Sequence, residues 1–563
     1  MARFPVALAT VVSTLFQAFG ANAVVTDAGA ANATMNSQIR LAYAGDTGMF
    51  VSWNTFDHLS NPTVHYGLSP DALTETASSE VSITYPTSLT YNNHVKLTGL
   101  KPDTLYYYLP GDLLKATDTS VPFSFKTSRS AGDGTPYTVA MFADLGTMGP
   151  LGLTTSVGKG GESMLEIGER NTIEALEAEA SSFDFMWHDG DIAYADYWLK
   201  EEIQGFLPNT TIAEGYKVYE SILNAFYNDM AEVTAFKPYM VGPGNHEANC
   251  DNAGTTDKAK NITYDSSICM PGQTNFTGYR NHFRMPSEES GGVENFWYSF
   301  DHGMTHYIQL DTETDLGHGY IGPDEANGTE GFSEGPFGIM NQQTTWLEND
   351  LKSVDRTKTP WVIVAGHRPW YLSAKNESGT ICWGCKEVFE PLLIKYGVDL
   401  VYSGHAHVYE RLAPMNNGVS DPNELDNPAA PWYITNGAAG HYDGLDTLDE
   451  HHDYSRFDLD VEDHAYGWSR VTFHNCTHMT HEYIASRNGS VLDSATLIKD
   501  RKCSFVSGGN GNSTGGNGGN GGNGGNGTVP PIPTAVPTGD ASRYIFGGAV
   551  AAISGLVAFA LTL

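Results

Sequence analysis

Five short apolar runs each end in a turn that carries a metal-ligand residue type, and this series constrains the chain more than any other feature. Residues 138–142 run into Ala143-Asp144-Leu145-Gly146. Residues 183–187 run into His188-Asp189-Gly190-Asp191-Ile192-Ala193-Tyr194. Residues 238–241 precede Gly242-Pro243-Gly244-Asn245-His246-Glu247. Residues 361–364 lead to Ala365-Gly366-His367, and residues 399–402 to Ser403-Gly404-His405-Ala406-His407. Apolar runs of this length, bounded by Gly and Pro, read as buried strands. Helical spacing at 169–182, 216–233, 342–351 and 386–396 alternates with them and with further strands at 297–300 and 306–310, which makes an α/β domain. The late runs 432–435 and 468–484 are expected to complete the second half of its sheet.

In open α/β sheets, ligands gather beyond the C-terminal ends of the strands. A single Asp or Asn after a strand more often tightens a turn. Five such turns in series point instead to a metal site. Nitrogen and oxygen donors without cysteine suit Zn, Fe or Mn. Two ions roughly 3.5–4 Å apart could clamp a phosphoryl group between them. Asp191 is the natural bridging carboxylate, and His405 and His407 can face different ions.

The chain of 563 residues is too long for one ordinary core, so two or more domains are expected. Its net charge of −35 excludes nucleic-acid binding, which needs a basic face. Residues 36–130 form a separate all-β stretch. Short alternating or aromatic runs at 39–43, 49–53, 63–66, 94–97, 105–108 and 123–126 are separated at sandwich-like spacing. Residues 97–107 resemble the turn before a late strand of fibronectin type III domains. No chemical constellation accompanies them, so a support or contact domain is expected.

Both ends read as processing signals. Residues 1–23 carry Arg3, an apolar run and the exit Ala21-Asn22-Ala23, the pattern of a cleaved signal peptide. Residues 505–540 are Gly/Asn-rich, then Pro-rich, and read as a flexible stalk. Residues 541–563 end in an apolar tail with no basic residue after it, which fits a GPI-attachment signal better than a membrane span. Asn526-Gly527 and Gly539-Asp540-Ala541 are both candidate attachment sites. Leader, stalk and tail together predict a secreted protein held at the cell surface by a GPI anchor.

Ten Asn-x-Ser/Thr sequons predict N-glycans. Sequence order favours the disulfides Cys250–Cys269, Cys382–Cys385 and Cys476–Cys503 among the 15 pairings that six cysteines allow. The Cys382-Trp383-Gly384-Cys385 run is either a redox motif or a loop clip. No thioredoxin-like pattern surrounds it, so a clip is expected.

The ordered set Asp144-x-Gly146, Gly190-Asp191-x-x-Tyr194, Gly244-Asn245-His246-Glu247, Val364-x-x-His367 and Gly404-His405-x-His407 resembles the purple acid phosphatases, members of the calcineurin-like metallophosphoesterases. The resemblance spans the domain at 135–490, and the β domain resembles that of the larger members. It implies a four-layer αββα sandwich preceded by a fibronectin type III-like domain. It also implies an acid phosphatase that cleaves phosphate monoesters by attack of a metal-bound hydroxide at a dinuclear centre. Asp144, Tyr194 and His407 would hold Fe(III), and Asn245, His367 and His405 a divalent Fe, Zn or Mn, with Asp191 between them. Asn245 and His246 would contact substrate, His246 hydrogen-bonding the phosphate or protonating the leaving group, with Glu247 either orienting it or standing as a plain surface carboxylate. His188 and Asp189 are left as structural.

The sequence departs from plant members after His367. Residues 371–378 lack the histidine pair expected at the substrate mouth. His441, His451, His452 and His464 are candidates for that mouth, with ordinary surface positions the plainer expectation. A phosphodiesterase or nucleotidase on the same fold, and a non-catalytic surface adhesion protein, are the alternative readings.

Overall fold

The computed structural model describes residues 36–111, 121–146, 165, 168–203, 211–251, 256–313, 341–373, 380–440, 444–448 and 451–503. The processing signals and stalk lie outside these residues.

The first domain is a sandwich of two four-stranded antiparallel sheets. One orders Ser37–Tyr43, Met49–Thr55, Tyr91–Leu97 and Ser82–Ile83. The other orders Glu75–Ser78, Thr63–Gly67, Leu105–Pro110 and Phe123–Lys126. Val51, Trp53, Val64, Val95, Tyr108 and Phe125 are buried in its core. At the turn before Leu105–Pro110, Tyr106 Oη accepts the Lys101 N–H at 3.1 Å. This is the tyrosine-corner device of immunoglobulin-like sandwiches.

This domain joins the next through buried polar contacts rather than a loose linker. The Arg40 guanidinium donates to the carbonyls of His282 and Gln38 and to the Asn54 and Asn92 side chains. Tyr85 Oη and Thr87 Oγ1 donate to buried Glu220 at 2.8 and 2.6 Å. Glu220 sits on the helix Gly215–Thr234, whose apolar face buries Ile222, Phe226, Met230 and Val233.

Two sheets face each other in the second domain. The first has parallel strands Tyr239–Gly242, Phe185–Asp189 and Tyr137–Phe142, continued by antiparallel Gly467–Phe473, His478–Ala485 and Val491–Ile498. The second centres on parallel Thr305–Gln309, Trp361–Ala365, Leu400–Ser403 and Trp432–Asn436. Residues 468–484 therefore extend the first sheet, not the second: Arg470 pairs with Ala140 and Val471 with Val139. A local apolar pattern does not specify which sheet edge a strand joins, because non-local pairing decides it.

Aromatic side chains fill the space between the sheets. Trp187 and Phe185 meet Tyr307 edge-on at 5.4 and 5.3 Å, and Tyr137 stacks on Phe473 at 4.9 Å. Trp187 Nε1 donates to Gln309 Oε1 at 2.7 Å, satisfying the indole in the dry interior. Helices cover both outer faces, giving the αββα sandwich. All three disulfides have the pairing favoured by sequence order, with Cα–Cα distances of 5.5, 5.2 and 6.1 Å. Cys382 and Cys385 are buried, and Cys382 caps the helix Trp383–Lys395 by accepting the Cys385 N–H, as a clip would.

His306 bridges Asp301 at 2.7 Å and Asp350 at 2.8 Å, tying the helix Gln342–Ser353 to the second sheet. Burial would lower its pKa, but the two carboxylates outweigh burial and raise it to about 9. The folded value lies above the unfolded one of about 6.5, so this stabilisation is full below pH ~6.5 and is lost as pH rises through 9. Thermal melts should show His306→Gln less stable than wild type at pH 5–6 by on the order of 2 kcal/mol. The difference should shrink towards pH 9, with a flatter pH dependence for the variant.

Candidate metal centre

The loops that leave the parallel strands are stitched together before any side chain is considered. The Asp144, Leu145 and Gly146 N–H groups donate to the carbonyls of Gly190, Asp191 and Ile192 at 3.2, 3.2 and 2.9 Å. Gly404 N–H donates to the His367 carbonyl at 2.9 Å. Asp144, Asp191, Tyr194 and His405 all have left-handed backbones, with φ of 61°, 51°, 52° and 66°. Non-glycine residues are uncommon there, and such strain persists only where the surroundings hold it. Gly190 and Gly244 allow the close approach. A Cβ on Gly190 would come within 2.7 Å of Gly244 N and His367 Nδ1, and one on Gly244 would collide with the Asp191 carboxylate.

Six of the seven ligand-type side chains, all but Asn245, meet in two groups that share Asp191. In the first, Tyr194 Oη lies 2.8 Å from Asp144 Oδ1, 3.2 Å from Asp191 Oδ2 and 3.2 Å from His407 Nε2. In the second, donor atoms of Asp191, His367 and His405 all lie within 4.8 Å of one another. Asn245, next to the His246 whose N–H meets Asp191, has a buried Oδ1 without a hydrogen-bond partner. His367 Nε2 is 3.1 Å from Asp191 Oδ2. A buried carboxylate shared by imidazoles and a phenol, with a buried unpartnered amide oxygen at Asn245, fits a bound cation, and the all-N/O donor set fits Fe, Zn or Mn.

Electrostatics point the same way. Burial would raise the Asp191 carboxyl, but the His367 and His246 imidazoles outweigh it and hold it well below the usual range. Burial would lower His367, but Asp191 and Asp144 push it well above its ordinary value. Burial, reinforced by Asp144 and Asp191, pushes the Tyr194 phenol well up. The pocket thus draws positive charge, and only a strong cation would deprotonate Tyr194.

Each ligand-type group has outer support. His367 Nδ1 donates to the Asp189 carbonyl at 2.8 Å, which leaves Nε2 facing Asp191. The Asp189 carboxyl, pushed up to about 7 by burial, accepts from Gln309 Nε2 at 2.8 Å. His188 is buried against Tyr239 Oη at 2.6 Å. Arg368 and Glu313, both fully buried, form an ion pair at 2.8 Å, and Arg368 Nη1 reaches to 3.3 Å from His405 Nε2.

His246 stands at the edge of both groups. Its backbone N–H donates to Asp191 Oδ1 at 2.9 Å, and its Nε2 is 3.8 Å from Asp191 Oδ2. Asp196, not Glu247, orients the ring, with Oδ2 2.6 Å from Nδ1. The Glu247 carboxylate instead accepts the N–H groups of Gly244, Asp191 and Ile192 at 2.9, 2.9 and 2.7 Å, binding two loops together. Adjacency in sequence suggested Glu247, but the short helical turn at Asn245–Glu247 turns it away. Asp196 lies two residues beyond Tyr194, and no sequence signal set it apart.

Of the candidate mouth histidines, His451 is exposed and pairs with Asp458 at 3.2 Å, and His452 stacks on Tyr454 at 4.8 Å. His464 occupies an exposed left-handed turn. His441 and residues 374–378 lie outside the described residues.

Three family models match in order: the purple acid phosphatase N-terminal domain over residues 36–127, the calcineurin-like phosphoesterase over 137–409, and the iron/zinc purple acid phosphatase-like protein C over 430–494. Acid phosphatase A of Cryphonectria parasitica is 38% identical, over 84% of this chain and 93% of its own length. The chain belongs to the purple acid phosphatase family. An acid phosphatase of Aspergillus ficuum is 33% identical over 82% of this chain and 86% of its own. A purple acid phosphatase from yellow lupin seeds shares the fold, with a TM-score of 0.61 and 22% identity, covering 83% of this chain and 75% of its own. The chain is thus an acid phosphatase of metallophosphoesterase fold that acts on phosphate monoesters.

Gly244→Ala should displace Asp191 and lower turnover of p-nitrophenyl phosphate on the order of 100-fold. Near-UV circular dichroism should stay close to wild type.

Proposed function

We propose that this acid phosphatase works at a dinuclear Fe(III)–M(II) centre, with M iron, zinc or manganese. In this reading Asp144, Tyr194 and His407 would hold the Fe(III), Asn245, His367 and His405 would hold the divalent ion, and Asp191 would be shared between them. The observation that carries the reading is the pair of donor groups meeting at Asp191. When bound, the two ions supply positive charge to the phosphate and a nucleophile at neutral or acid pH. Asp144, Asp191 and a Tyr194 phenolate bring about three negative charges against five on the ions. The remaining charge of about +2 suits a phosphate dianion.

The chain's own groups do the positioning. Asp196 holds His246 Nδ1, so Nε2 faces the centre, where it can hydrogen-bond the phosphate or give its proton to the leaving alkoxide. Asn245 beside it contributes to phosphate binding. Small phosphate monoesters are the expected substrates. Turnover of a bis-ester above that of a monoester would favour a phosphodiesterase instead.

We further propose export through cleavage of residues 1–23, and attachment by a GPI anchor at the end of the stalk 505–540 after removal of the tail in 541–563. Asn261, Asn275, Asn475 and Asn488, the sequon asparagines within the described residues, are all exposed, as glycan carriers must be. No helix among the described residues is long and apolar enough to cross a membrane.

The purified iron-loaded protein should show a visible tyrosinate-to-Fe(III) band that Tyr194→Phe abolishes. A colourless, iron-free and active protein would defeat the iron assignment. His246→Ala should cut kcat for an alkyl phosphate by roughly 100-fold or more, and far less for a nitrophenyl ester, whose leaving group needs no acid. Asp196→Asn should show the same pattern at smaller size, because the ring is mispositioned rather than absent. Equal effects on both substrates would remove the leaving-group role.

A further inference from the structure

Every ligand-type imidazole has a second nitrogen, and its neighbour differs from ring to ring. His367 uses the Asp189 carbonyl, and His405 Nε2 faces the Arg368 guanidinium. His407 turns Nε2 inward, 3.2 Å from Tyr194 Oη and 3.4 Å from Asp144 Oδ1. Its Nδ1 faces outward, 3.7 Å from Asp446 Oδ2. That distance is one of charge attraction rather than a hydrogen bond.

The backbone contacts are closer. Asp446 Oδ2 accepts the His407 N–H at 2.8 Å, and the Asp446 N–H donates back to the His407 carbonyl at 3.0 Å. Val461 N–H donates to the Asp446 carbonyl at 2.8 Å, which anchors this loop from behind. A carboxylate behind a ligand histidine, gripping its backbone and facing its outer nitrogen, fixes the ring and raises its basicity.

Resting on the dinuclear reading above, we propose that Asp446 is a positioning residue for His407. Its backbone clasp holds the imidazole against Tyr194 and Asp144, and its charge strengthens His407 as a donor and favours the higher oxidation state of the ion held there. The carboxylate does not touch substrate. It lies 39 residues beyond His407 in sequence, in a stretch with no motif of its own.

The test uses Asp446→Asn and Asp446→Ala in the iron-loaded full chain. Three quantities are read: the visible tyrosinate band, the Fe(III)/Fe(II) midpoint potential, and iron retention against a chelator. The asparagine oxygen can still accept the His407 N–H, so Asp446→Asn keeps the clasp and removes only the charge. It should fold and retain iron, with its midpoint potential raised and its band shifted. Asp446→Ala should also lose iron affinity by about 10-fold or more. Wild-type band and potential in Asp446→Asn would overturn the proposal by leaving a merely structural clasp. If the alanine variant does not fold, the asparagine variant decides alone. Wild-type protein without any tyrosinate band would instead overturn the iron reading, and this proposal with it. A normal wild-type band with an unshifted variant overturns the Asp446 role only.

Discussion

The structure of this phosphatase depends on one carboxylate held where carboxylates resist being held. Asp191 is fully buried, has a left-handed backbone, and sits beside the Asp144 carboxylate and the Tyr194 phenol. Buried like charges in a low dielectric repel strongly unless cations or donors compensate. The chain compensates with rigidity. Glu247 clamps the Asp191 and Ile192 N–H groups, the His246 N–H meets Oδ1, and His367 faces Oδ2. Glycines at 190 and 244 let two loops approach where no side chain would fit.

That rigidity is inherited from the two sheets. Parallel strands from both end at the same rim, so residues 144, 191, 245, 367 and 405 arrive from five different segments. The aromatic packing between the sheets fixes the rim, because close-packed interiors transmit displacement rather than absorb it. The β-sandwich domain belongs to the same support. Through Tyr85, Thr87 and Arg40 it grips the helix Gly215–Thr234 and the segment near His282. That helix places Tyr219 and Tyr227 around the hollow behind His246. Through these contacts the β-sandwich domain packs behind one wall of that hollow.

Much of this was legible before folding. The α/β alternation, the β domain and the disulfide partners all leave local signals: period, spacing and cysteine order. The convergence of Asp144, Asp191, Tyr194, His367, His405 and His407 was legible because their turns follow buried strands. Positioning residues were not. Asp196, Glu313, Arg368 and Asp446 are charged residues in ordinary contexts, and their partners lie 50, 55, 37 and 39 positions away. Glu247 was read as a partner of its neighbour, and it proved to be a clamp between loops. Residues 432–435 and 468–484 were read as completing the second half of one sheet, and they join different sheets, since edge pairing is non-local.

The sequence by itself determined which residue types stand at the strand ends, and hence that hard donors without thiolate converge. Periodicity and turn chemistry act within a few residues, so they survive in the linear order. Only the tertiary structure decided which carboxylate orients His246 and what stands behind each imidazole. Those choices depend on distances between segments far apart in the chain, which the packing of the two sheets sets.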